Sequence, residues 1–295
     1  MPIDVPIDVA CHLNVLVPDL AEPALSGALG TLAELGYSTV VLPPFDPESA
    51  PLEAWARTFR DHGLTPVPIA GQAPGADVSS ADPLDRERGV ATLRRMVEAT
   101  VALGGNQLNG VPYGLFGRAG QAPSRETFER AAAAVGSVAD HAHDRGVRMT
   151  FEVLNRYETA LVNTARQAVD LVAASGSEHL RVHLDTFHMA VEETDLLEAI
   201  RSTVPLLGYL ELGQSGRGPL GSGVVDAGAA VRAALEAGYR GRIGVEAFSS
   251  SVLPAEACGA LAIWRDTYAD GRALAAEAID VVRRAEASVP VGSVA

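Results

Sequence analysis

The chain is poor in residues that several whole classes of protein require. Its two cysteines, Cys11 and Cys258, in 295 residues cannot by themselves build a disulfide framework or a zinc cluster. Basic residues are outnumbered, 23 Lys+Arg against 37 Asp+Glu for a net charge of −14, and they form no block. That argues against a nucleic-acid binder, which needs clustered Lys and Arg to neutralise phosphates. No apolar run approaches the ~20 residues that span a bilayer, so no membrane partner is expected. The opening MPIDVPIDVACHLNVLV has no basic n-region and carries Asp4 and Asp8, which makes a poor secretory leader. A cytoplasmic protein is expected. Acidic surface usually means only solubility, but surplus carboxylates can also hide a metal site.

What the chain has is alternation. Short apolar, β-branched runs predict strands at Ile7–Cys11, Thr39–Pro43, Thr65–Ile69, Asn106–Val111, Arg148–Val153, Leu180–Asp185, Leu206–Leu212 and Arg242–Ala247. Between and after them, helical spacing appears over 22–35, 51–62, 83–103, 124–145, 162–175, 194–203, 227–237 and 255–285. Gly36, Gly63, Gly146, Gly176 and Gly238 follow apolar-periodic segments, where a left-handed residue ends a helix and glycine adopts it cheaply. Ser124 and Thr194 are expected to open helices. Strict alternation of strand and helix implies a parallel sheet. Eight units in a chain of this length predict a single-domain (β/α)8 TIM barrel. An open doubly wound sheet is the alternative, but no GxGxxG follows the first strand. The barrel is expected over 1–286, with a flexible tail over 287–295. Pro/Gly-rich stretches at 71–82 and 213–226 read as long βα loops.

In such a barrel, chemistry sits at the C-terminal strand ends. The last four strands each finish near one acid: Glu152 in MTFEVLNRYE, Asp185 in RVHLDTFHM, Glu211 in LGYLELGQS and Glu246 in RIGVEAFSS. Their spacings of 33, 26 and 35 residues correspond to one βα unit each. Strand alternation turns Phe151, Leu184, Leu210 and Val245 toward the helices and the acids toward the axis. Four carboxylates converging on one mouth repel unless protonated or shared with a cation. An all-oxygen shell suits a hard divalent ion such as Mg²⁺ or Mn²⁺. His188 is placed to hydrogen-bond a substrate hydroxyl, and Arg217 to hold an oxygen-rich ligand or orient an acid. Glu158 is a further candidate. His12 either lines the pocket or packs against it. Cys11 reads as core rather than nucleophile, with no base nearby in sequence.

The motifs LNRYET, HLDTFHM followed by Glu192–Glu193, the loop Arg217–Gly223 and VEAFSS resemble the ketose 3-epimerases of the xylose-isomerase-like sugar isomerase/epimerase barrels. The resemblance extends to Cys11–His12, DVSS at 77–80 and IWRD at 263–266. It implies a metal-dependent epimerase or isomerase that acts on a ketose or related sugar through an enediolate. It implies metal ligands at Glu152, Asp185, position 211 and Glu246, with Glu152 and Glu246 as the acid/base pair. It also implies sugar contacts from Glu158, His188 and Arg217, a hydrophobic one from Phe248, and a homo-dimer or homo-tetramer. Mn²⁺ or Mg²⁺ is the expected ion, with Co²⁺ as a further candidate.

Several positions depart from the family pattern. The family's histidine ligand is Glu211 here, a glutamate three residues later is Gln214, and a sugar-contacting glutamate falls on Leu42. The segment GVPYGLF after the fourth strand also differs. Three carboxylates and an imidazole around a divalent ion leave about −1, whereas four carboxylates leave about −2 and weaken it as a Lewis acid. Two alternatives therefore stand beside the epimerase. One is the large subunit of a C-glycoside deglycosidase-type lyase acting on 3-oxo-glycosides, with a small partner subunit. The other is a barrel that binds a sugar without turnover.

Overall fold

The computed structural model describes residues 6–289. Among them the chain follows the expected order. The strands are β1 (Val9–His12), β2 (Thr39–Val41), β3 (Thr65–Val67), β4 (Ile69–Gln72), β5 (Gln107–Leu115), β6 (Arg148–Val153), β7 (Arg181–Asp185), β8 (Leu207–Gly213) and β9 (Arg242–Glu246). All neighbouring pairs are parallel, in the order β3-β2-β1-β9-β8-β7-β6-β5-β4. The two ends of that order are consecutive in the chain, separated only by Pro68. Proline has no N–H for a ladder, so the third stave breaks there. Its first half accepts from Leu42 N (2.9 Å, at Val67 O), and Pro68 O accepts from Asn109 N (3.0 Å). One broken stave thus joins both edges, and the sheet closes as a (β/α)8 barrel.

The helices are α1 (Ala24–Leu35), α2 (Leu52–Asp61), α3 (Pro83–Leu103), α4 (Arg125–Asp144), α5 (Ala165–Ser175), α6 (Thr186–Glu192), α7 (Leu196–Thr203), α8 (Ala227–Glu236), α9 (Ala255–Leu261) and α10 (Gly271–Ser288). Their ends obey local chemistry. Ser124 caps α4 by accepting from Thr127 N, and Thr164 and Gln167 form a reciprocal capping box on α5, satisfying donors that lack a partner inside the helix. The five expected helix-stop glycines all have positive φ, for example 90° at Gly36 and 71° at Gly176. No helix among the described residues is long and apolar enough to cross a membrane.

Four local expectations need correction. Asp195, not Thr194, caps α7 by accepting from Glu198 N. The segment Thr186–Glu192 is helical because the Asp185 side chain, at the very end of β7, accepts from Phe187 N and starts a turn at once. The fourth predicted strand does not stop at Val111, since β5 runs on through GVPYGLF as far as Leu115, where it pairs with Gln72 across a register shift. The last expected helix is two helices. Ala262 turns left-handed (φ 55°) after α9, and Asp270 then caps α10 by accepting from Ala273 N. Trp264 and Tyr268 lie in the stretch between these helices. Trp264 is 74% exposed, whereas Tyr268 is buried. Helix α10 reaches Ser288, past the expected start of the tail, and residues 290–295 lie outside the described residues.

The main core lies between sheet and helices, where Phe151, Leu184, Leu210 and Val245 are fully buried as strand alternation requires. A smaller apolar layer inside the barrel comes from Ala10, Val41, Val67 and Tyr209. Polar groups fill the lower end. Arg242 donates to Asp8 and Gln107, Gln107 to Asn109, and Thr150 also to Asn109. Burial raises the Asp8 carboxyl, but the Arg242 guanidinium outweighs it and holds that acid below its usual range. These groups fill the barrel interior at the end opposite the strand-end acids.

Helix α4 approaches α5 through Gly136, where a Cβ would run into the Ser175 carbonyl. Gly136→Ala should cost about 1–3 kcal/mol through overpacking. Gly259→Ala, on α9 with open space around it, should stabilise by about 0.5–1 kcal/mol. Urea unfolding midpoints of the two variants check this contrast.

Candidate active site

Register brings the strand-end acids together. Asp185 pairs with Glu211 across β7 and β8, and Glu152 pairs with His183 across β6 and β7. Space between the acids comes from two glycines on the same strands. A Cβ at Gly213 would press on the Asp185 carboxylate, and one at Gly244 on the Tyr209 hydroxyl and Glu211. Asp185, Glu211 and Glu246 are buried, while the Glu152 side chain keeps 15% exposure and is the acid most open to solvent.

Cationic and imidazole groups surround these carboxylates. His12, at the end of β1, brings Nε2 to 2.9 Å from Glu211 Oε1 and Nδ1 to 3.6 Å from Glu246 Oε1. His12 therefore stands beside two of the four acids. His183 Nε2 lies 3.0 Å from Glu211 Oε2. His188 Nε2 faces Glu152 at 3.3 Å and Asp185 at 3.5 Å. Its Nδ1 accepts from the Asn155 backbone N–H at 3.1 Å, so the neutral ring carries its proton on Nε2, toward the acids. Asn155 also donates to Glu158, which places Glu158 one residue back from His188 rather than among the four acids. Arg217 donates to Asp185 and Glu246, and its guanidinium lies over the Phe187 ring, 3.5 Å from the centroid. Phe248 flanks the same guanidinium at 5.3 Å and meets the His12 ring edge to face.

The electrostatics follow from burial and these neighbours. Burial pushes the Glu211 carboxyl up, but the adjacent His12 and His183 overcome it and hold it well below the usual carboxylate range. Glu152 is also lowered, its burial outweighed by His183 and His188. Asp185 is raised, because burial dominates the attraction of His188 and Arg217. His183 is raised against the effect of burial by Glu152 and Glu211.

The donor set fits a divalent cation. Three overlapping groups of ligand atoms each lie within 4.8 Å of one another: His12–Glu211–Glu246, Glu152–Asp185–His188 and Glu152–His183–Glu211. Neither ring nitrogen of the buried His183, nor Glu211 Oε2, makes a well-directed hydrogen bond, and such atoms call for a partner. Imidazoles from β1, β7 and α6 stand beside the acids, so nitrogen as well as oxygen donors line the mouth. His183 was missed because only the last inward position of each strand was considered. The period-two rule that selects Asp185 also turns residue 183 inward. Asn155 and Phe187 carry no sequence signal of their own.

A carboxylate whose native pKa is depressed contributes stability above its unfolded pKa and loses it as pH falls through the native value. Glu211→Gln should therefore destabilise the chelator-treated protein by about 1–3 kcal/mol at pH 7. The penalty should shrink below about pH 4.5, the ordinary glutamate value, as the wild-type acid itself begins to lose the contribution. Thermal melts of both proteins at pH 7 and pH 4 measure the difference.

The chain is 34% identical over 275 residues to a ketose 3-epimerase of Arthrobacter globiformis, covering 93% of this chain and 95% of that one. It is also 34% identical over 270 residues to an L-ribulose 3-epimerase of Mesorhizobium japonicum, covering 92% and 91%. A crystal structure of D-allulose 3-epimerase from Methylomonas sp. in complex with D-allulose superposes with a TM-score of 0.90 at 30% identity, covering 94% of this chain and 96% of that one. These relatives are isomerase-class sugar epimerases, the class that the motifs imply. The family model described as xylose isomerase-like TIM barrel matches residues 29–285, and the chain belongs to that family.

Proposed function

We propose that the protein is a divalent-metal-dependent ketose 3-epimerase in which Glu152 and Glu246 exchange the C3 proton of the sugar. The observation that carries this reading is the placement of these two acids at the outer ends of a run of four, with Asp185 and Glu211 on the two strands between them. Epimerisation needs one base on each face of the carbon, and two acids that flank the same mouth from different staves can provide it. The names and near-complete coverage of the relatives favour an epimerase over a lyase subunit or a non-catalytic barrel.

The cation would be held by Glu152, Asp185, Glu211 and Glu246, and Mn²⁺ suits a mixed set of oxygens and neighbouring imidazoles. When bound, the ion supplies Lewis-acid polarisation of the sugar's carbonyl and adjacent hydroxyl oxygens, which acidifies the C–H at C3. Glu152 takes that proton from one face, and Glu246 returns one to the opposite face of the enediolate carbon. The reverse reaction exchanges the two roles. His188, with its proton on Nε2, donates to Glu152 or to a sugar oxygen beside it. Arg217 carries fixed positive charge against developing negative charge on the substrate. Glu158 orients His188 through Asn155, His12 lines the wall beside Glu246, and Phe248 gives the sugar an apolar surface. Glu211 faces the His12 and His183 rings with its two oxygens, and His183, raised by Glu152 and Glu211, offsets the extra charge of a fourth carboxylate.

The decisive experiment incubates D-allulose, D-fructose and L-ribulose with the enzyme and Mn²⁺ in D₂O and follows deuterium at C3 by NMR. Incorporation with interconversion of C3 epimers is expected, and a lack of exchange in all three sugars overturns the reading. Mn²⁺ at about 100 times its Kd should stabilise the fold by about 2.7 kcal/mol, seen as a rise in Tm that EDTA reverses. Glu246→Gln should lower kcat by about 10²–10⁴-fold while its circular dichroism stays that of the wild type.

A further inference from the structure

Gln214 takes no part in the chemistry above, yet it is fully buried at the top of β8. Its amide meets backbone groups of both kinds. Nε2 donates to Leu220 O (2.9 Å) and Val225 O (3.0 Å), while Oε1 accepts from Ser215 N (2.8 Å) and Val225 N (3.0 Å). The loop 215–225 therefore folds around a single side chain. It closes so tightly that a Cβ on Gly223 would run into that amide. Arg217 sits on this loop with a left-handed backbone, φ 57°, which a non-glycine residue keeps only where its surroundings hold it. Its N–H donates to Gln214 O (2.7 Å), and its carbonyl accepts from Phe248 N (2.9 Å).

We propose that Gln214 is a positioning residue for Arg217, and that its amide, rather than a carboxylate, is what fixes the guanidinium between Asp185 and Glu246. The chemistry is selective. An amide offers two donors and an acceptor, whereas an ionised carboxylate only accepts. Glutamate at 214 would put an oxygen in place of Nε2, facing the carbonyls of Leu220 and Val225, and lose both bonds. The glutamine that departs from the family pattern is thus matched to its own loop. The activity arm of the test rests on the epimerase reading, whereas the structural arm does not.

Gln214→Glu tests the proposal by hydrogen exchange and by steady-state kinetics with Mn²⁺ and D-allulose. Amide exchange across 215–225 should rise at least about 10-fold while the strands keep their protection. Misplacing an oriented group by about 1 Å can cost about 100-fold, and a loss of that order in kcat/KM is expected. In an Arg217→Met background the same substitution should add less than about twofold, because its effect acts through Arg217. Gly223→Ala, which leaves Gln214 intact but crowds it, should reproduce the loop exchange and the coupling to Arg217, and it serves if Gln214→Glu does not fold. Unchanged loop protection in the folded variants overturns the clamp. Faster exchange with losses that multiply in the double variant overturns the link to Arg217. If wild type has no activity on any ketose, the epimerase reading fails. The clamp is then judged by whether Arg217 moves away from Asp185 and Glu246 in a crystal structure of the variant.

Discussion

Four carboxylates driven into one barrel mouth are the constraint around which the rest of the upper structure is arranged. Like charges crowded away from water repel strongly. The chain answers with imidazoles on three sides and a guanidinium above. His12 and His183 share Glu211, His188 spans Glu152 and Asp185, and Arg217 joins Asp185 to Glu246. Each positive or polarisable group touches an acid, and each acid has at least one such neighbour. These neighbours offset the repulsion that would otherwise drive the acids apart.

That balance depends on more than the four acids themselves. Asp185 gives one oxygen to the first turn of α6 and aims the other at His188 and Arg217, so helix capping and site geometry are set by the same side chain. Gly213 and Gly244 clear space where any larger residue would push the acids apart. Asn155 fixes the His188 tautomer while tying it to Glu158. At the lower end, Arg242 ties Asp8 to Gln107 inside the barrel.

How much of this could be read from the sequence depends on the range of the interactions involved. Strands and inward acids were legible because period-two alternation is local: Glu152 and Phe151, or Glu246 and Val245, differ by one residue and face opposite ways. Helix stops were legible for the same reason, since a glycine after an apolar-periodic segment carries its own conformational signal. The break between α9 and α10 was hidden because the stretch from Ala262 to Asp270 is held partly by distant partners, among them Ser250 Oγ on Asp266. The contacts of His12 with Glu211 link residues on β1 and β8, and no local spacing announces such a meeting. His183 was within reach of the alternation rule, had it been carried one step further down β7.

The glutamate at 211 shows why a ligand set is better judged by its surroundings than position by position. Taken alone, exchanging imidazole for carboxylate adds one negative charge to a site already rich in them. In the folded chain that charge faces His12 on one oxygen and His183 on the other, with the Tyr209 hydroxyl 3.4 Å away. Burial would protonate an isolated glutamate there, yet these neighbours keep it ionised. Nitrogen donors are therefore present in the mouth, contributed by β1 and β7 instead of β8. The net charge offered to a cation depends on how far those rings share it, and the identity of residue 211 is one part of that balance.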